Sequence, residues 1–119
     1  MSKPLLFVFR CPPYGSSLAR EGLEAALATA SLGQTVSVLF MDDGVWQLVQ
    51  QQATVIEQKN ISAMASALPL YGVEQCFVDK QSLTVRQLDA ETIGTDVIPL
   101  DTAAVQSLLA NNNHHIVSF

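Results

Sequence analysis

Charge is what this chain has least of. Charged side chains make up only 14% of its 119 residues, against roughly 25% in an ordinary soluble domain. A small surface so poor in charge is expected to be covered in part by other subunits. Positive charge is the scarcer sign: six Lys/Arg stand against eleven Asp/Glu, for a net charge of −5. Lys3, Arg10, Arg20, Lys59, Lys80 and Arg86 are scattered. Gripping a phosphate backbone needs concentrated cations, so direct nucleic-acid binding is excluded. Cysteine is scarce too. Cys11 and Cys76, without CxxC spacing, make neither a disulfide framework nor a zinc site. No apolar run approaches the ~18 residues of a membrane span. Leu5–Phe9, closed by Arg10, is too short for a signal-peptide core. These absences together lead us to expect a cytoplasmic protein with reduced thiols. Phosphate-loop and nucleophile-elbow motifs are also missing.

Apolar residues are plentiful, at 49%, enough to bury one core in a single domain spanning 1–119. Residues 4–9 form a continuous apolar run, the mark of a strand buried on both faces. Pro12-Pro13-Tyr14-Gly15 breaks it, and Ser16 or Ser17 offers an N-cap. A helix is predicted from Ser17 to Leu32, with Ala19, Leu23, Ala26, Leu27 and Ala30 on one face and Gly33 as its stop. Gly22 inside that helix costs ~1 kcal/mol against Ala, which calls for a close backbone approach. Thr35–Met41 reads as a second strand and Val45–Val49 as a short helical turn. A helix follows at 57–68, where Ile61, Met64, Ala65 and Leu68 repeat at helical spacing. Val73–Val78 is a third strand. Residues 79–85 fit a helical turn, and 89–95 a polar loop. Asp96–Leu100 is a fourth strand whose Pro99 belongs at an end or an exposed side. Asp101 or Thr102 caps a last helix over 103–109, and His114–Phe119 is a fifth strand.

Strands alternating with helices at this spacing predict an α/β fold, an open parallel sheet with helices on both faces. For five strands the flavodoxin-like order 2-1-3-4-5 is expected, with its crevice beyond the carboxyl ends of the strands at the β1/β3 switch point. On that order Cys11 and Cys76 both lie near the crevice. Cys76 is the one catalytic candidate. A cysteine within an apolar strand is commonly an inert core residue. A reactive one needs access and a cation or helix N-terminus, and Lys80 is a candidate cation opposed by Asp79. The Pro12–Ser17 loop sits where a helix N-terminus binds anions, but two prolines remove two donors, which favours a structural turn. Asp42-Asp43-Gly44 carries two carboxylates without a third ligand, so a turn is the simpler reading. His114 and His115, adjacent on a strand, point to opposite faces and cannot readily share a metal.

Several stretches, taken together and in order, resemble the TusC/DsrF family. They are Pro13-Tyr14-Gly15 with Arg20–Ala28, Phe40–Leu48, Leu70–Val78 and the ending Ile116-Val117-Ser118-Phe119. The likeness spans essentially the whole chain, and the succession and spacing of the stretches carry it, since no single stretch is diagnostic. The resemblance implies a flavodoxin-like DsrE/F fold, a three-layer sandwich. It implies TusB-like and TusD-like partners in a heterohexamer, a dimer of heterotrimers. That complex would pass persulfide sulfur from TusA to TusE for 2-thiolation of the tRNA wobble uridine. Related DsrEFH complexes serve sulfur oxidation instead. Neither cofactor nor metal is implied. The family's sulfur-carrying cysteine belongs to the TusD/DsrE subunit. Cys76 occupies the matching strand here, but its neighbours Glu74, Gln75 and Asp79 look TusC-like. The resemblance thus implies a mainly structural, non-catalytic subunit. The alternative makes Cys76 itself a persulfide carrier, a sulfurtransferase thiol.

Overall fold

The computed structural model describes residues 3–49, 56–89, 93, 97–111 and 113–119, without the side chains of 56–60 and 62. Strand β1 (Leu5–Phe9) leads into helix α1 (Leu18–Ser31) and strand β2 (Val36–Phe40). A 3-10 helix at Asp42–Leu48 precedes α2 (Ile56–Ala67), which tightens into a second 3-10 turn at Leu68–Tyr71. Strand β3 (Gln75–Asp79) runs directly into α3 (Lys80–Val85). Strand β4 (Ile98–Leu100), α4 (Thr102–Ala110) and β5 (His115–Ser118) complete the fold. The parts of the expected loop at 89–95 other than Asp89 and Ile93, and Asp96 of the expected fourth strand, lie outside the described residues.

Local sequence signals account for most of these boundaries. Gly33 ends α1 at φ +90° and donates to Ala30 O at 3.0 Å, as a glycine just past a helix does. Asp101 caps α4 by accepting from Ala104 N at 2.8 Å, and Asp79 caps α3 by accepting from Gln81 N at 3.3 Å. The expected serine cap of α1 is different. Ser17 makes no side-chain cap bond. Its hydroxyl turns to Glu21 Oε2 at 3.3 Å, and Ser16 Oγ accepts from Leu18 N instead.

All five strands are parallel, but their order is β4-β3-β2-β1-β5, not the expected 2-1-3-4-5. The reason lies in where the helices pack. Parallel crossovers are right-handed, so successive steps in one direction keep their helices on one face. Steps β1 to β2 to β3 do this, and α1 and α2 cover the same face together with the first 3-10 helix. The step from β4 to β5 must return past β1, which carries α4 to the opposite face. The switch point therefore falls between β1 and β5, not between β1 and β3.

The two faces are unequally covered. Phe7, Phe9, Val36, Val38, Phe40, Cys76 and Val78 point to the α1/α2 side and join Ala19, Leu23, Ala26, Ile61, Ala65 and Leu68 in the larger core. Leu6, Val8 and Leu39 face α4 and meet Val105, Leu108 and Leu109. The larger core holds a run of rings: Phe9 stacks on Phe40 at 5.3 Å, and Phe119 stacks on Phe9 at 5.8 Å and on Phe7 at 6.1 Å. Here Gly22 finds its purpose, because a Cβ there would lie 2.6 Å from Phe9 Cε1 and 2.9 Å from Phe119 Cγ. A Cβ at Gly44 would overlap the Phe9 carbonyl itself.

Gly22→Ala should therefore lower the urea midpoint. Overpacking typically costs ~1–3 kcal/mol, which exceeds the ~1 kcal/mol that alanine gains in helix propensity. Gly44→Ala should lose more, since its methyl meets backbone rather than rings. Unchanged midpoints for both variants would contradict this packing.

Candidate functional site

Cys76 is the second residue of β3, paired with Val38 and through it level with Phe7 in the middle of β1. Its side chain joins the larger core and is 7% exposed. Strand β4 starts one residue later, its Ile98 paired with Phe77, so nothing in β4 flanks Cys76. A cavity of about 330 Å³ occupies that gap, lined by Pro69, Val73, Glu74, Gln75, Cys76, Val97 and Ile98. It gives the thiol its route to the outside. Burial alone pushes the Cys76 thiol up to about 11. Lys80 does not line this cavity. It borders a separate, mostly apolar one of about 270 Å³ with Val78, Leu83, Leu88 and Pro99. Asp79 is taken up by the cap of α3 and by Ser82. The local charges weighed from the sequence thus do not account for the state of Cys76.

The two cysteines do not share a crevice, contrary to the expectation. Cys11 follows the carboxyl end of β1, whereas Cys76 opens toward the amino end of the sheet. That separation follows from position along the strands, with Cys11 past the last residue of β1 and Cys76 second in β3, and β2 stands between the two strands as well. Cys11 is half-buried, and its partner is Gln47 of the first 3-10 helix. Gln47 Nε2 donates to Cys11 O at 2.9 Å and lies 3.9 Å from Cys11 Sγ. Burial raises the Cys11 thiol and its backbone hydrogen bond pulls the other way. Gln47 is fully buried, yet its Oε1 has no hydrogen-bond partner.

Asp42 and Asp43 form the hub of a network at the carboxyl ends of β1, β2 and β3. Asp42 takes φ +52°, a left-handed conformation that aspartate tolerates better than most residues. Arg10 Nε donates to Asp42 Oδ2 at 2.9 Å, and Arg86 reaches Asp43 Oδ1 at 3.0 Å. Ser82 Oγ accepts from Asp42 N at 2.9 Å and donates to Asp79 Oδ2 at 2.6 Å. The aspartates are thus spent on arginines and on backbone, as a turn would use them. The exposed Arg10–Asp42 pair contributes at most ~1 kcal/mol; the buried Ser82 bridge matters more. His115 is exposed at the start of β5 opposite Leu5. Among the described residues, no three His, Cys, Asp or Glu side chains converge on a metal-sized site. No helix among them is long and apolar enough to cross a membrane.

Gln47, Ser82, Arg10 and Arg86 escape a sequence reading. Gln47 carries a faint signal, a polar residue between Val45 and Leu48 in a segment otherwise set for burial. The arginines carry none, since Arg86 lies 43 positions from Asp43.

Comparison with known proteins gives a consistent result. Residues 3–119 match the DsrE/DsrF-like family. The chain is 37% identical over 116 residues to a "Protein TusC homolog" of Vibrio vulnificus (strain CMCP6), covering 97% of this chain and 98% of that one. It is 39% identical over 111 residues to "Protein TusC" of Escherichia coli O9:H4 (strain HS), covering 92% and 93%. The crystal structure of the ychN protein from E. coli superposes with a TM-score of 0.75 over 98% of this chain and 99% of that one. At 21% identity this is a likeness of fold.

Ser82→Ala should cost ~1–3 kcal/mol, the penalty for leaving buried polar groups without a partner, read as a lower urea midpoint. A neutral result would remove the Ser82 bridge from the structural account. Cys76 should alkylate slowly in the folded chain at neutral pH and faster as the pH approaches about 11. Its neutral thiol favours the folded state fully below the ordinary thiol value of ~8.5. That contribution should fade as the pH rises through about 11, and Cys76→Ala should remove it. Alkylation of the folded chain as fast as in urea would refute the burial of this thiol.

Proposed function

Because this chain belongs to the DsrE/DsrF-like family, we propose that it is a subunit of a TusBCD-type sulfur-relay complex and that its role there is mainly structural. Such a complex passes persulfide sulfur from a TusA-like donor to a TusE-like acceptor, for 2-thiolation of the tRNA wobble uridine. The observation that carries the reading is the match to relatives named TusC over more than nine-tenths of both chains. The physical setting supports it. A sulfur carrier needs an accessible thiolate, and Cys76 is a buried thiol pushed up to about 11. The surface, in turn, offers material for partners. Leu32 is 84% exposed, Leu70 85% and Tyr71 55%. These residues belong to adjoining stretches, since a Cβ at Gly72 would stand 3.7 Å from Ala30 O. The partners we assign are TusB-like and TusD-like chains in a dimer of heterotrimers, in the cytoplasm, with no direct contact to nucleic acid.

A second reading makes Cys76 a persulfide carrier, and the cavity beside it favours that chemistry by giving a donor sulfur room to approach. A DsrEFH-type role in sulfur oxidation uses the same assembly with a different outlet.

Co-expression with TusB-like and TusD-like chains should yield one complex by size exclusion, and Leu70→Asp with Tyr71→Asp should weaken it. A lone monodisperse monomer that ignores both partners would refute the assembly. Relay activity that survives Cys76→Ser in the complex is the expected result, and its loss would favour the second reading.

A further inference from the structure

The apolar cavity of about 270 Å³ beside Lys80 has no role in the reading above. Its floor is the β4 side of the sheet, where Val78 and Pro99 are paired. Leu100, the next residue, turns to α4, so Pro99 faces the other way with Val78. Leu83 of α3 makes one wall, and Leu88, Ile93 and Val97 complete the enclosure. Close-packed interiors leave few voids larger than a water molecule. An apolar cavity of ~150 Å³ already admits benzene, so this one has room for roughly two fused rings. Its polar part is one-sided. Among the described residues, Arg10, Arg20 and Arg86 each pair with a carboxylate, but none pairs with the exposed Lys80. The Thr84 hydroxyl is spent on the Lys80 carbonyl at 3.0 Å. Asp89 also borders the cavity and has a partner of its own. The ammonium is therefore the group held ready at the mouth, and it calls for an anion.

We propose that this cavity is a binding site for a small carboxylate with an apolar body, of the size of a bicyclic aromatic acid. The rings rest on Val78 and Pro99 against Leu83, and the carboxylate pairs with Lys80. The position suits a ligand. Lys80 directly follows β3, and α/β sheets bind their ligands beyond the carboxyl ends of the strands. The site goes beyond the sulfur-relay reading and does not rest on it. It uses no thiol and involves no covalent step, and Cys76 lines a different cavity. Burial of the rings supplies most of the affinity, and Lys80 selects the charge of the ligand.

The test titrates the full chain with 2-naphthoate, alone and in complex with TusB-like and TusD-like chains, followed by ligand fluorescence and by NMR of valine and leucine methyl groups. The expected result is saturable one-to-one binding that shifts the methyls of Val78 and Leu83. The neutral 2-naphthalenemethanol should bind several-fold more weakly, and the cationic 2-naphthylmethylammonium more weakly still. Lys80→Met removes the charge from an exposed side chain. It should weaken naphthoate by about two- to five-fold, the range of an exposed ion pair, and leave the neutral probe unchanged. Leu88→Trp, which fills the cavity, should weaken all three probes. Uptake that does not saturate, shifts confined to other methyls, equal affinity for the three probes, or an unchanged naphthoate affinity in Lys80→Met would overturn the proposal. So would binding to the lone chain that vanishes in the complex, since the cavity would then belong to a partner's side chain. If Leu88→Trp does not fold, the charge series on the unmodified chain and Lys80→Met decide. Titration of the lone chain reads this site without the assembly, so the failure of one is distinguishable from the failure of the other.

Discussion

Phe9 is where the constraints of this fold converge. Its ring lies between those of Phe40 and Phe119, and α1 reaches the sheet there only because residue 22 has no side chain. Its carbonyl accepts from Met41 N at 3.0 Å and is crowded by the backbone of Gly44. Those two contacts aim the chain after β2 into the 3-10 helix that carries Asp42, Asp43 and Gln47. The carboxyl-end network and the Gln47–Cys11 contact therefore both hang on the backbone of a residue whose side chain is wholly apolar. Side-chain packing sets the distance between helix and sheet, and the backbone close by converts that distance into polar geometry.

Position along the strands decides what surrounds each thiol. Cys11 lies in the loop after β1 and Cys76 near the amino end of β3, with β2 between the two strands. Cys76 is reached from the end that also shows Leu70 and Tyr71, a surface suited to another subunit. Cys11 is reached from the end where Arg10, Asp42, Asp43 and Arg86 make a charged rim.

Much of the fold was legible in the sequence, and the illegible part has a clear cause. The apolar run at residues 4–9, the helical spacing of Ala19, Leu23 and Ala26, and the Asp101 cap are local signals and appear where expected. Gly22 even announced its own close contact. Strand order is not local. It depends on which face each helix covers, and a stripe of alanines states how closely α1 packs but not on which side. The same limit applies to the candidate site. Cys76 stood out because cysteine is rare here, yet its burial depends on the register with Val38, and its access on β4 starting late. Gln47 and the distant pair Asp43–Arg86 are joined only by the fold. At the start of α1 it is Ser16, not Ser17, whose hydroxyl accepts from a first-turn amide, because Glu21 one turn away offers the Ser17 hydroxyl another partner.

The sheet's β4 edge also shapes how this molecule can meet others. Strand β4 has three residues, and the middle one, Pro99, has no amide hydrogen to offer. An incoming strand would find a template too short and missing a donor, so it could not zip onto the sheet from that side. A neighbour approaching β4 must recognise shape and side chains, Ile98 foremost among them, rather than backbone. Recognition of that kind discriminates among similar folds, whereas backbone pairing accepts almost any extended chain. For a protein with so little surface charge to keep strangers away, a short proline-bearing edge is a safeguard against indiscriminate association.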